Sequence, residues 1–200
     1  MKLLTAPPSP FGRKVKVVLI ETGQLEETEI VDVTTTPMQT DPAVAAANPA
    51  GKIPALVRED GPALYDSRVI CRYLDARSGA GLYPETRLWE VLTLEATADG
   101  ILEAALTMVY ELRFRPEEQV MPEWVEAQWA RVKRSLDALE ARWMAHLSGH
   151  IDAGHIAIGC ALGYLDFRHG DRDWRDGHDD LARWYEAFAQ RDSMEMTKPG

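Results

Sequence analysis

Three short stretches near the N-terminus carry polar groups where chain geometry could hold an anion. Ser9 lies between Pro7-Pro8 and Pro10, with Phe11-Gly12-Arg13 following. A proline pushes the residue before it away from helical geometry. Pro10 also suits the first helical position, where a missing N–H costs nothing. Ser9 therefore falls at an N-cap, beside unpaired backbone N–H groups and the positive end of the helix dipole. Asp66-Ser67 marks a second helix start, whose N–H groups can take a carboxylate. Between the two, Ile53-Pro54 follows the turn Asn48-Pro49-Ala50-Gly51-Lys52. A proline there removes a ladder donor and belongs at an edge or a strand start. A cis Ile53–Pro54 bond would present the N–H and C=O of Ile53 to an extended ligand. Lys52 adds a mobile positive charge. Taken singly these features are ordinary, and a lone Ser-Pro is more often only a cap. Their order over one short stretch is the specific signal.

The elements that must position these groups alternate between two periods. Lys2–Thr5 reads as a strand and Phe11–Thr22 as a helix stopped at Gly23. Thr28–Val33 is rich in β-branched residues and reads as a second strand. A short Ala-rich helix follows over Pro42–Ala47, then two strands, Ile53–Val57 and Ala63–Tyr65, around a Glu59–Pro62 turn. Asp66-Ser67 caps a helix over Arg68–Arg77. This βαβα–ββα order predicts a small α/β domain over 1–78. Ser78-Gly79-Ala80-Gly81 reads as a break, giving a linker over 79–84.

The chain over 85–200 reads as an all-helical bundle domain. Its helices are expected at Thr86–Phe114, within Glu117–His146, at Asp152–Arg168 and at Asp179–Gln190, ahead of a polar tail. Asp152 is a good N-cap there, with Ile151 and Ile156 placed for a hydrophobic staple. The fold class is thus α+β, an N-terminal α/β domain followed by an all-α one.

Composition narrows the function classes. Apolar residues make up 46% and charged residues 27% of the 200 residues, the balance of an ordinary globular protein. No apolar run approaches the roughly 18 residues needed to cross a bilayer, and no secretory leader is evident, so a cytoplasmic protein is expected. The net charge is −10. Residues 1–78 hold 9 Lys and Arg against 10 Asp and Glu, so nearly all the excess lies in the helical part. An acidic surface repels phosphate backbones, which argues against nucleic acid. The near-neutral first part is the better host for an anionic ligand. Cys71 and Cys160 form no CxxC pair and read as inert buried thiols. The five histidines make no HExxH-type spacing and there is no phosphate-cradling loop, so neither metal nor nucleotide is expected.

The whole chain resembles the cytosolic glutathione S-transferases, bacterial members with a serine-type site. The resemblance rests on Ser9-Pro10-Phe11, on Asn48 through Leu56, on Asp66-Ser67-Arg68-Val69-Ile70, on Ile156 through Asp166 and on Trp184-Tyr185. Two positions depart from it. His155 stands where many relatives have an acidic residue, which is expected to weaken a reciprocal cap. Arg191-Asp192-Ser193 replaces a more usual Arg-Pro-Ser.

The resemblance implies a thioredoxin-like first domain and a homodimer. It implies glutathione as co-substrate, with its cysteinyl backbone on Ile53 beside Pro54 and its γ-glutamyl carboxylate on Ser67. Asp66 would lie near the amine, Lys52 near the glycyl carboxylate and Ser9 at the sulfur. The activity implied is conjugation of the thiolate to small electrophilic apolar substrates, lying against Pro8, Phe11, Met108 and Phe114. Ser9-Pro10-Phe11-Gly12 stands where redox relatives of the fold have Cys-x-x-Cys, so exchange through the protein's own thiols is not expected. Two alternatives stay open: a non-catalytic adaptor on this scaffold, and a glutathione-dependent isomerase, peroxidase or dehalogenase. Arg13 reads equally as a source of positive potential for the thiolate and as a solvated side chain.

Overall fold

A computed structural model describes residues 1–199. The chain divides into two compact units, one of Met1–Leu88 with the segment from Asp192 onward, the other of Trp89–Arg191.

The first unit is built on a three-stranded sheet in the order β2-β1-β3, formed by β1 (Lys2–Thr5), β2 (Glu29–Asp32) and β3 (Ala55–Val57). β1 pairs in parallel with β2, Leu3 opposite Ile30, through the crossover helix α1 (Pro10–Glu21). β3 runs antiparallel to β1, Leu4 opposite Ala55. Leu3, Leu4, Leu56, Val15, Val18 and Leu19 are buried in the core, as a sheet face covered by a helix requires. α2 (Pro42–Ala47) starts at Asp41, whose carboxylate accepts from Ala43 N and Val44 N. α3 (Ser67–Ser78) packs on α1 and ends at Gly79, φ 69°. The buried Asp75 carboxylate then accepts from Leu82 N at 2.7 Å and Tyr83 N at 3.1 Å. The stretch after Gly79 is therefore anchored by two backbone bonds.

Three expectations for this unit change. The second strand is shorter than Thr28–Val33, because Thr28 closes a turn with Leu25 O and Gln24 O. Ala63–Tyr65 forms no ladder; it contributes one antiparallel bridge, Leu56 to Leu64. The helix cap at Asp66 arrives two residues later, too soon for further pairing. The polar tail expected after Gln190 carries a further helix, α9 (Asp192–Met196), with Ser193 and Met194 buried.

The second unit is all helical. α4 (Leu88–Phe114) follows a 3₁₀ turn at Glu85–Arg87. The single helix expected near Glu117–His146 is instead a 3₁₀ turn at Glu117–Gln119, then α5 (Pro122–Arg142) and the short α6 (Met144–Leu147). Pro122 occupies the start of α5, where its missing N–H is harmless. α7 (Ala153–His169) is buried on nearly every side, and α8 (Asp179–Phe188) closes the unit. An apolar run buried all round is what a central helix needs.

The cap of α7 corrects the expectation for His155. Asp152 is fully buried and its Oδ1 accepts from Gly154 N at 3.0 Å and His155 N at 3.2 Å. The His155 ring Nδ1 lies 3.3 Å from Asp152 N and 2.8 Å from Oδ1. One tautomer completes the reciprocal cap and the other reinforces the carboxylate, so a capping box is present with an imidazole in place of the acidic residue. His146 Nε2 sits 2.8 Å from Asp152 Oδ2.

Candidate functional site

Ser9 has extended backbone angles and caps α1, with Pro10 as the first helical residue. Its Oγ accepts from Gly12 N at 3.1 Å. That bond uses an acceptor lone pair and leaves the hydroxyl proton to be donated elsewhere. Ser9 N donates to Ala6 O at 3.0 Å, and Arg13 N to Ser9 O at 2.9 Å, so the residue is held from both sides. Gly12 packs too close to Thr5 for a Cβ to be added without a shift. A Cβ there would meet Thr5 Oγ1 at 1.9 Å and Ser9 Cβ at 3.3 Å.

Strand register brings the other stretches to the same end of the sheet. β1 and β3 are antiparallel with Leu4 opposite Ala55, so the chain leaves β1 towards Ser9 at the end of the sheet where it enters β3 from Ile53-Pro54. Leu56 also forms an antiparallel bridge with Leu64, so from Leu64 the chain runs towards Asp66 at that same end. The stretches that carry Ser9, Ile53-Pro54 and Asp66-Ser67 therefore all lie towards one end of the sheet. The Ile53–Pro54 bond is cis, as is Tyr65–Asp66. Lys52 is exposed on the turn before Ile53.

That turn is wrapped around a side chain which sequence reading treated only as turn composition. The buried Asn48 amide donates to Lys52 O at 2.8 Å and accepts from Ala50 N at 3.0 Å. Gly51 takes φ 67° there, a backbone conformation that glycine adopts freely. An Asn followed by Pro-Ala-Gly was the available signal.

Asp66 caps α3 by accepting from Arg68 N at 3.0 Å, and the Arg68 guanidinium lies 2.9 Å from its other oxygen. Partial burial pushes the Asp66 carboxyl up, but the Arg68 contacts, with Lys14 nearby, outweigh it and hold the group below the usual aspartate range. Ser67 is buried in the first turn. Lys14 is only 1% exposed, and its place amid the apolar residues of α1 gives it no signal in the sequence. Arg13 is not solvated. It is 5% exposed and its guanidinium donates to Met194 O.

Of the residues expected at the electrophile, Pro8 is exposed and Phe11 half-buried on the first turn of α1. Met108 is buried with the core residues, whereas Phe114 ends α4 exposed, its ring 5.3 Å from that of Tyr110. Sequence spacing had suggested no metal ligands. The fold nevertheless brings His146, Asp152 and His155 together, with ligand atoms within 4.8 Å of one another. Their contacts are those of the α7 cap.

Residues 8–77 match the profile of the glutathione S-transferase N-terminal domain, and residues 122–187 that of its C-terminal domain. The chain belongs to the glutathione S-transferase family. It is 34% identical, over 100% of this chain and 98% of the relative, to the uncharacterized GST-like protein YibF of Escherichia coli. A glutathione transferase family member from Pseudomonas fluorescens, solved with bound glutathione, superposes with a TM-score of 0.97 at 44% identity. That match covers 100% of this chain and 98% of the other. A structure of a Pseudomonas fluorescens family member with bound S-(propanoic acid)-glutathione gives 0.92 at 43% identity, over 100% of both chains. The architecture is accordingly the family's thioredoxin-like unit followed by a helical one.

Proposed function

We propose that this family member binds glutathione along the rim formed by Ser9, Lys52, Ile53, Pro54, Asp66 and Ser67, and conjugates it to small electrophiles. The observation that carries this reading is the Ser9 hydroxyl. It is fixed at a helix N-terminus with its acceptor side engaged by Gly12 N and its proton available. The glutathione seen in the Pseudomonas fluorescens relative supports the ligand, and the S-(propanoic acid) conjugate supports an S-substituted product.

The chemistry follows from charge. A free thiol has a pKa of about 8.5, so only about 3% is thiolate at pH 7. A hydroxyl donor and a helix N-terminus both favour the anion. Lowering the value by about two units makes the thiolate the majority species at that pH. Its lone pair then forms the C–S bond as the leaving group departs with its electron pair, or as an activated double bond accepts the pair and is protonated. Ser9 forms no covalent bond. Pro8 and Phe11, flanking Ser9-Pro10, give the electrophile an apolar surface. A homodimer and a cytoplasmic location belong to the same proposal; among the described residues no helix is long and apolar enough to cross a membrane.

The test is a pH titration of bound glutathione, followed by the ultraviolet absorbance of its thiolate. Ser9→Ala should keep glutathione affinity within about threefold while raising the thiol midpoint by about one to two pH units. Conjugation should fall by roughly 10- to 100-fold. Identical midpoints in wild type and variant would remove Ser9 from this role. A folded wild-type protein that passes unretained through immobilised glutathione would sink the transferase reading.

A further inference from the structure

The helix that carries Ser9 at its cap is also held by the far end of the chain. Arg13 lies one turn beyond Ser9, and its backbone N–H donates to Ser9 O at 2.9 Å. Its side chain turns the other way, towards the segment that begins at Asp192. Nη2 donates to Met194 O at 3.0 Å and Nε to Thr197 Oγ1 at 3.4 Å. The Thr197 hydroxyl donates in turn to Ser193 O at 2.7 Å. Ser193 Oγ donates to Glu21 Oε1 at 2.5 Å, in the last turn of α1. α1 is thus gripped near both ends, by residues 180 or so positions away in the chain. Ser193, Met194 and Thr197 are all buried.

A buried guanidinium is costly unless its donors are matched, and the acceptors named here come from this one segment. A hydrogen bond from a hydroxyl weakens steeply with misalignment, and a small misplacement of a catalytic group costs far more rate than stability. We propose that the segment beginning at Asp192 positions the Ser9 hydroxyl, acting through Arg13, and that Arg13 is a positioning residue and not a sulfur contact. This rests on the reading of Ser9 as the thiol-facing group.

The test compares full-length Arg13→Met, Thr197→Val and Thr197→Ser with wild type and with Ser9→Ala. Thr197→Val keeps the guanidinium charge, so any change it causes is positional. Amide exchange at Gly12 and Arg13 reads the tie without glutathione. It should quicken about tenfold in Arg13→Met and Thr197→Val relative to α3. The bound-thiol midpoint should rise by about half to one pH unit. Turnover should fall about five- to tenfold with KM for glutathione within about twofold, and Thr197→Ser should behave as wild type. If Arg13→Met does not fold, the Thr197 pair decides alone. Wild-type exchange and titration in Thr197→Val overturn the proposal, leaving the segment a stabilising clamp. When Ser9→Ala shifts the titration and Thr197→Val does not, only the positioning role falls. When Ser9→Ala shifts nothing, the reading of Ser9 is at fault and the positioning role falls with it.

Discussion

Gly12 sets how near helix α1 comes to the end of β1, and so where Ser9 stands. The missing Cβ leaves room for the buried Thr5 side chain, whose Oγ1 would be 1.9 Å from it. Alanine is the better helix former by about 1 kcal/mol, so Gly12→Ala would stabilise an isolated helix. Here the clash dominates. We expect Gly12→Ala to cost about 1–3 kcal/mol, the usual penalty for overpacking, and to lower glutathione turnover by moving Ser9. Denaturant unfolding and steady-state kinetics measure the two effects. Thr5→Ala in the same chain removes Oγ1 and should recover most of both losses, a coupling of the kind seen between residues in contact. Equal effects of Gly12→Ala with and without Thr5→Ala would place the cause elsewhere. The pair shows what the residue scale hides in a sequence: Gly12 falls inside the helix expected over Phe11–Thr22, where glycine is a poor helix former, and only its distance to Thr5 explains it.

Among the elements, α7 depends on a fully buried carboxylate at its cap. Burial pushes the Asp152 carboxyl up, but hydrogen bonds and charge from His155 and then His146 outweigh it and hold the group below its ordinary value of 3.8. A depressed folded pKa gives stability that is complete above the ordinary value and lost as pH falls through the folded one. Asp152→Asn keeps a capping side chain and loses the charge. It should cost about 1–2 kcal/mol at neutral pH. Its unfolding free energy should converge on that of wild type as pH drops below about 4. Denaturant melts across pH 3 to 7 check this; a gap that stays constant to the acid end would assign the stability to packing. Helix starts such as Ser9, Asp66 and Asp152 were legible because capping chemistry is local. Ala63–Tyr65 misled because a strand needs a partner ladder, and the chain turns into α3 first.

For the whole molecule, charge distribution sets which partners are excluded. With net −10 overall and a first segment holding nearly equal numbers of acids and bases, the protein should show no binding to duplex DNA at about 0.15 M salt. Fluorescence anisotropy with a labelled duplex reads this directly, and a micromolar salt-sensitive affinity would contradict it. Membership of the glutathione transferase family extends across both units, since the two family matches fall one in each.

By itself the sequence determined the three strands and the longer helices in outline, the caps at Ser9 and Asp66, the turn before Pro54 and the family they resemble. These follow from capping, proline geometry and period, all acting within a few residues. Tertiary structure alone decided the rest. Strand pairing turned the stretches carrying Ser9, Pro54 and Asp66 towards one end of the sheet, and folding back brought the segment after Gln190 onto Arg13. Those contacts join residues far apart in the chain, where local propensity carries no information and packing makes the choice.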